Sequence, residues 1–295
     1  MASETRTIDR EQTTDVAAEK VTGLRALLPK RLYAHALLWL ACLIIGFPLF
    51  YAILVSTQTN SNVYAYQFYP GTNFADNWAK VMVERGIWRY MVNSVFIAIA
   101  VTFGKTLLSL LAGMAFVYFR FPGKWIVFGF VLITLMMPTE ILIIALFRFV
   151  NDLNWGNTYY ALIVPFLASA TGSFLFRQHF ANIPAELSES AQLDGATPLQ
   201  FLFRILVPMS WNTIGALAVI QFVYVWNMYL WPALVIQGQD RQVVQVGLRT
   251  LIGGDASLSF GPLMLGAVAA SIPPLIVFIL LQKQFMSGFA LTRDK

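Results

Sequence analysis

Side chains able to do chemistry are scarce in this chain. His35 and His179 are too few and too far apart for a metal site. The single cysteine, Cys42, excludes a disulfide framework and a Cys-based metal centre. No paired acidic residues, His cluster or Ser/Lys arrangement offers a nucleophile with its base. Gly104-Lys105-Thr106 imitates the end of a phosphate-binding loop, but that loop needs a Gly five residues earlier, where Ile99 stands. The tripeptide also lies inside an apolar run rather than between a strand and a helix. No cofactor, metal or nucleotide is therefore expected on this chain.

Two charges need an account. Lys105 and Glu140 interrupt apolar runs, and ionisable groups at membrane depth are costly and tend to be functional. Lys105 precedes Arg120, and Glu140 follows Lys124, by nearly equal stretches of chain. In two helices joined by that turn the charges would sit at nearly equal depth. They could neutralise one another, or Lys105 could line a pathway and attract an anion such as a phosphate. Asn93, Trp226, Asn227 and Tyr229 are further pathway candidates, since amides and aromatic faces hold polyols and sugars. Trp and Tyr also collect at membrane interfaces, which is the plainer reading of those positions. Arg177 reads as a topology anchor or an ion-pair partner.

The elements that must position these residues are membrane helices. Of the 295 residues 58% are apolar and 12% charged, with mean hydropathy +0.64. A soluble domain carries roughly twice that charge. A span needs about 20 largely apolar residues, and six segments qualify: about 33–56, 90–119, 125–147, 158–180, 205–235 and 262–285. Residues 1–31 are polar, charged and without apolar periodicity, and read as a mostly disordered tail. They are too long and too acidic for the start of a signal peptide. Lys and Arg concentrate in that tail (Arg6, Arg10, Lys20, Arg25, Lys30, Arg31), the second-to-third turn and the C-terminus (Lys283, Arg293, Lys295). This bias places both termini in the cytoplasm. The formal net charge of +5 is thereby a matter of topology, not of nucleic-acid binding. The segment from Gln58 to Trp88 is an external loop rich in aromatics, among them Tyr64, Tyr66, Phe68 and Tyr69.

One cytoplasmic loop, about 182–204, carries more punctuation than a plain connection requires. Pro184 suits the first turn of a helix. Leu187, Ala191 and Asp194 recur at helical spacing, and Gly195 suits a left-handed closing residue. Thr197, Pro198 and Gln200 then fit an N-cap, first position and capping-box partner. Two short helices hinged at a glycine make a rigid knob.

Within that knob, Glu189-Ser190-Ala191, Asp194-Gly195-Ala196, Ile205 and Pro208 resemble the EAA loop of binding-protein-dependent ABC importers. Only Ser190 departs, a small residue standing for Ala. Arg120-Phe-Pro, Thr134-Leu-Met-Met-Pro138 with Glu140, Phe174-Leu-Phe-Arg-Gln178 and Trp226-Asn-Met-Tyr-Leu-Trp-Pro232 extend the likeness over about residues 33 to 293. The chain is similar to MalG-type sugar permeases and, among them, to the glycerol-3-phosphate permeases.

The resemblance implies an all-α, polytopic, non-catalytic permease subunit, residues 32–295, in the cell membrane of a bacterium or archaeon. It implies a second homologous permease as heterodimer partner and an extracytoplasmic substrate-binding protein. An ATPase dimer would hold the ATP and Mg. Glu189 would pair with a basic residue of that ATPase, and Gly195 would make the turn between the helices. The substrate would be glycerol-3-phosphate or a related glycerophosphodiester. A neutral sugar or oligosaccharide is the alternative cargo, and an ion-coupled secondary transporter the alternative class.

Overall fold

The computed structural model of the chain describes residues 32–252 and 259–290. The expected N-terminal tail, with Arg293 and Lys295, lies outside the described residues. Among the described residues there is no strand. The chain divides into two units between Tyr51 and Ala52. This boundary falls within α1 (Leu32–Val55), an apolar helix with Pro48 inside it.

The segment expected as an aromatic loop contains α2 (Asn60–Tyr64) and α3 (Phe74–Trp78), which runs on as a π-helical stretch, Ala79–Glu84. Asn77 latches it by donating to the carbonyls of Ser56 (2.9 Å) and Gln58 (3.1 Å). Next come α4 (Ile87–Tyr118), α5 (Lys124–Leu135) and α6 (Thr139–Asp152). After α7 (Tyr159–Ile163) and a 3-10 turn, Val164–Phe166, follows α8 (Ala170–Ala181). Then α9 (Ala185–Leu193) leads into α10, which begins at Pro198–Phe201 and continues through a π turn, Leu202–Leu206, to Val207–Met209. The last elements are α11 (Trp211–Trp226), α12 (Leu230–Val235), α13 (Val244–Arg249) and α14 (Phe260–Ala290).

Four runs among the described residues are long and apolar enough to cross a membrane: Ala34–Val55, Ile87–Tyr118, Tyr159–Ala181 and Phe260–Gly288. A fifth arises if Pro198–Met209 and Trp211–Trp226, which meet at 81°, count together. The expected third span is instead divided. α5 has 12 residues, about 18 Å, against a hydrocarbon layer about 30 Å thick. Pro138 causes the break, since it has no N–H to give the preceding turn and biases Met137 away from helix. The expected fifth span is divided too, at Ser210 and again at Asn227–Tyr229.

Inside residues 52–290, α4 packs against α8 and α11, and α11 against α14. The α4–α8 crossing is close. A Cβ on Gly172 would fall 2.2 Å from the Ser109 hydroxyl oxygen, so only glycine fits there. Small residues that let helices approach are the usual source of cohesion where lipid removes the hydrophobic drive between them. Two apolar clusters result. One gathers Val101, Leu162, Phe222, Trp226 and Trp231, and the other Leu110, Met114, Phe176, Phe180 and Leu217.

Candidate functional site

The knob is built as its residue types require. Pro184 (φ −54°, ψ 134°) turns the chain out of α8, and α9 begins at Ala185. Its end is a Schellman motif: the Ala196 N–H donates to the Ala191 carbonyl (2.9 Å) and the Gly195 N–H to the Gln192 carbonyl (3.1 Å). Gly195 holds the left-handed φ of +71° that this closure needs. Thr197 then caps α10. Its hydroxyl accepts the Gln200 N–H (3.4 Å) while the Gln200 side-chain oxygen accepts the Thr197 N–H (2.8 Å), with Pro198 in the first turn. This is the reciprocal capping box expected from the sequence.

Anchorage comes from a few side chains. Ala191 is the buried residue of α9, and with Ala196 it packs on Leu110, Met114, Phe176 and Phe180. The Tyr118 ring meets Phe201 edge-on, with centroids 5.1 Å apart, and its hydroxyl donates to the Phe180 carbonyl (3.4 Å). Such an aromatic pair contributes about 0.5–1.5 kcal/mol beyond its burial. The outward side makes no ion pair among the described residues. Glu189, Ser190, Asp194 and Gly195 are exposed, and Leu193 is 89% exposed. From Ala185 to Gln200 there are three carboxylates (Glu186, Glu189, Asp194) and no Lys or Arg. A rigid acidic knob with a bare leucine can seat in a basic cleft, with charge setting register and the apolar contact adding affinity.

Deeper in the bundle a polar layer separates the two apolar clusters. Lys105 of α4 and Gln221 of α11 are 7% and 5% exposed, and the Lys105 Nζ donates to the Gln221 Oε1 at 3.0 Å. The Gln221 Nε2 donates in turn to the Ser169 hydroxyl (3.3 Å), which also accepts the Gly172 N–H (3.1 Å) and caps α8. The ring centroid of Tyr224, one turn along α11, lies 4.9 Å from the Lys105 Nζ. A lysine at mid-helix costs about 2.5–3.5 kcal/mol to insert in a membrane. A charge-assisted hydrogen bond returns about 1.5–3 kcal/mol and a cation–π contact about 0.5–2 kcal/mol. These two contacts offset part of that cost.

The ion pair found among the described residues is Arg89–Asp240 (2.8 Å), far along the chain from Lys105. Glu140 lies in the first turn of α6, and its side chain is outside the described residues. Asn93 directs its amide to the carbonyls of Asp240 (2.9 Å) and Gln242 (3.0 Å), while its oxygen accepts the Tyr159 hydroxyl (3.0 Å). Trp226 is 2% exposed, stacks on Phe222 and donates to the Ala270 carbonyl (3.1 Å). The structure thus places both of these in packing.

Asn227 and Tyr229 instead line a cavity of about 430 Å³, together with Tyr224, Phe166 and Trp231. The Tyr229 hydroxyl accepts from Arg249. Arg177 lies against Phe128 and Trp125, its guanidinium carbon 4.3 and 5.2 Å from the ring centroids. Ser169 and Tyr224 carry no signal in the sequence, and Gln221 carries little. A glutamine in an apolar run is a weak cue, and only its facing Lys105 marks it.

Comparison with known proteins agrees with this architecture. Residues 105–289 match the family described as "Binding-protein-dependent transport system inner membrane component". The chain is 38% identical over 272 residues to the sn-glycerol-3-phosphate transport system permease protein UgpE of Agrobacterium fabrum, covering 89% of this chain and 96% of that one. It is 35% identical over 266 residues to UgpE of Escherichia coli K12, covering 87% and 95%. Among solved structures it is similar in fold to a bacterial ABC transporter involved in the import of the acidic polysaccharide alginate. That likeness has a TM-score of 0.75 at 20% identity and covers 90% of this chain and 97% of the other. An acidic knob on an all-helical apolar bundle, and a family match across more than half its length, make this chain a member of the binding-protein-dependent transport family: an inner-membrane permease subunit of an ABC importer.

Proposed function

We propose that this subunit moves sn-glycerol-3-phosphate, or a related glycerophosphodiester, into the cell. The observation that carries the substrate is the 35–38% identity, over nearly the whole chain, to permeases named for sn-glycerol-3-phosphate transport. The subunit pairs with a second homologous permease, and the pair sits on an ATPase dimer that holds ATP and Mg. An extracytoplasmic binding protein delivers the substrate. Residues 32–295 form six spans, with α5 and α6 together making the broken third, and both termini are cytoplasmic.

Glu189, Ser190, Ala191, Asp194, Gly195 and Ala196 form the surface that docks on the ATPase. Closure of the ATPase dimer moves the knobs together and shifts the bundle between inward-facing and outward-facing states, as a coupled two-state element must. The test is ATP hydrolysis by the complete complex in lipid with its binding protein. Stimulation by glycerol-3-phosphate and not by maltose supports the reading. Stimulation by maltose alone gives a neutral-sugar importer, and uptake independent of ATP gives a secondary transporter.

A further inference from the structure

The polar layer and the neighbouring cavity are joined by one side chain. Tyr224 lines the cavity of about 430 Å³ and also presents its ring to the Lys105 ammonium, 4.9 Å away. Gln221 and Tyr224 of α11 and Asn227, its C-cap, follow at intervals of three, so they fall on one side of that helix. Beside Lys105 on α4, the Ser109 hydroxyl is buried and has no partner among the described residues. The layer thus holds a cation and an unused hydroxyl, with a reorientable amide facing them. At the cavity's edge stands a second cation, Arg249, bonded to Tyr229.

We propose that Lys105, with Gln221, is the phosphate-recognising point of the translocation pathway, and that Tyr224 is the gate between it and the cavity. In the closed arrangement the Gln221 oxygen and the Tyr224 ring stand in for the anion. When Tyr224 swings aside, the phosphate takes the ammonium, and the freed Gln221 amide turns its N–H to a phosphate oxygen. The dianionic end of the substrate is recognised here by charge, and its polyol end lies toward Asn227 and Tyr229. This inference rests on the glycerol-3-phosphate reading.

The experiment uses the complete importer in proteoliposomes, with saturating binding protein and labelled glycerol-3-phosphate. Assembly is checked by co-purification of the subunits. Wild-type uptake of glycerol-3-phosphate comes first, because its absence sinks the substrate reading and this inference with it. Given that uptake, Lys105→Met is expected to lower the rate about tenfold or more, the loss of one charge-assisted bond, and Lys105→Arg to restore most of it. Gln221→Glu keeps the lysine and gives it a permanent anion, so it too must slow uptake about tenfold. Unchanged uptake in Gln221→Glu, or in an assembled Lys105→Met, overturns the proposal and leaves the substrate reading standing. Recovery in Lys105→Met with Glu140→Gln also overturns it, since Lys105 would then serve only to neutralise Glu140.

Discussion

The Ala196 amide reaches back 2.9 Å to the Ala191 carbonyl, and the chain between them turns through Gly195 at φ +71°. A Cβ on Gly195 would meet nothing within 4 Å. The restriction there is therefore backbone strain and not crowding. Gly195→Val is expected to cost about 1–2 kcal/mol at this position and to uncouple ATP hydrolysis from uptake. Gly195→Asn, which tolerates the left-handed region, should retain coupling. Equal behaviour of the two variants in an uptake assay would refute the turn's role.

Glu189 is exposed and makes no bond within the chain among the described residues. Glu189→Ala should change the permease's own stability by less than about 0.5 kcal/mol and still abolish uptake. Glu189→Lys should do so more completely, because it places a cation before a basic cleft. The measurements are the unfolding temperature of the detergent-solubilised complex and ATP-driven uptake. Normal uptake by Glu189→Ala would remove the docking assignment.

Thr197 acts one step earlier, by holding the second helix of the knob. Removing the capping box with Thr197→Ala should cost about 1 kcal/mol. Hydrogen exchange is expected to speed up over residues 198–206 and to stay unchanged in α4. Faster exchange spread through α4 and α8 would mean that the cap supports the whole bundle.

Asn93 separates structure from transport. Its amide and oxygen satisfy two carbonyls and the Tyr159 hydroxyl. Asn93→Ala should cost about 1–3 kcal/mol through the groups it leaves unpaired, read as a lower unfolding temperature. The preference for glycerol-3-phosphate over maltose should not change. A changed preference at unaltered stability would return Asn93 to the pathway.

The knob was legible in the sequence because everything that shapes it is local. Gly195 must turn, and Thr197, Pro198 and Gln200 cap a helix wherever they occur in that order. Long apolar helices such as α4 and α14 were legible for a similar reason, since length and hydropathy need no partner. In the third span Pro138 marks a kink in the sequence, but hydropathy does not register that the helix breaks there altogether. The polar layer was half legible. Lys105 announces itself by its charge, yet depth arithmetic along two helices gives no sign of Gln221, the partner it has among the described residues. Rotation about a helix axis decides which side chain faces Lys105, and it is set by contacts such as Gly172 against Ser109. Those join residues far apart in the chain.

The 81° corner between α10 and α11 has a mechanical meaning. Ser210 is fully buried there, and its hydroxyl holds the Leu206 carbonyl at 2.6 Å, so the corner is braced where a free hinge would be slack. The arms are about 18 and 24 Å long, and they stand nearly at right angles. The knob is fixed to the short arm, and Gln221 and Tyr224 ride on the long one. In such a bell crank a sideways push on one arm becomes a tilt of the other. A corner of this kind would carry movement of the knob toward the Lys105–Gln221 contact, beside the packing of the knob on α4 and α8.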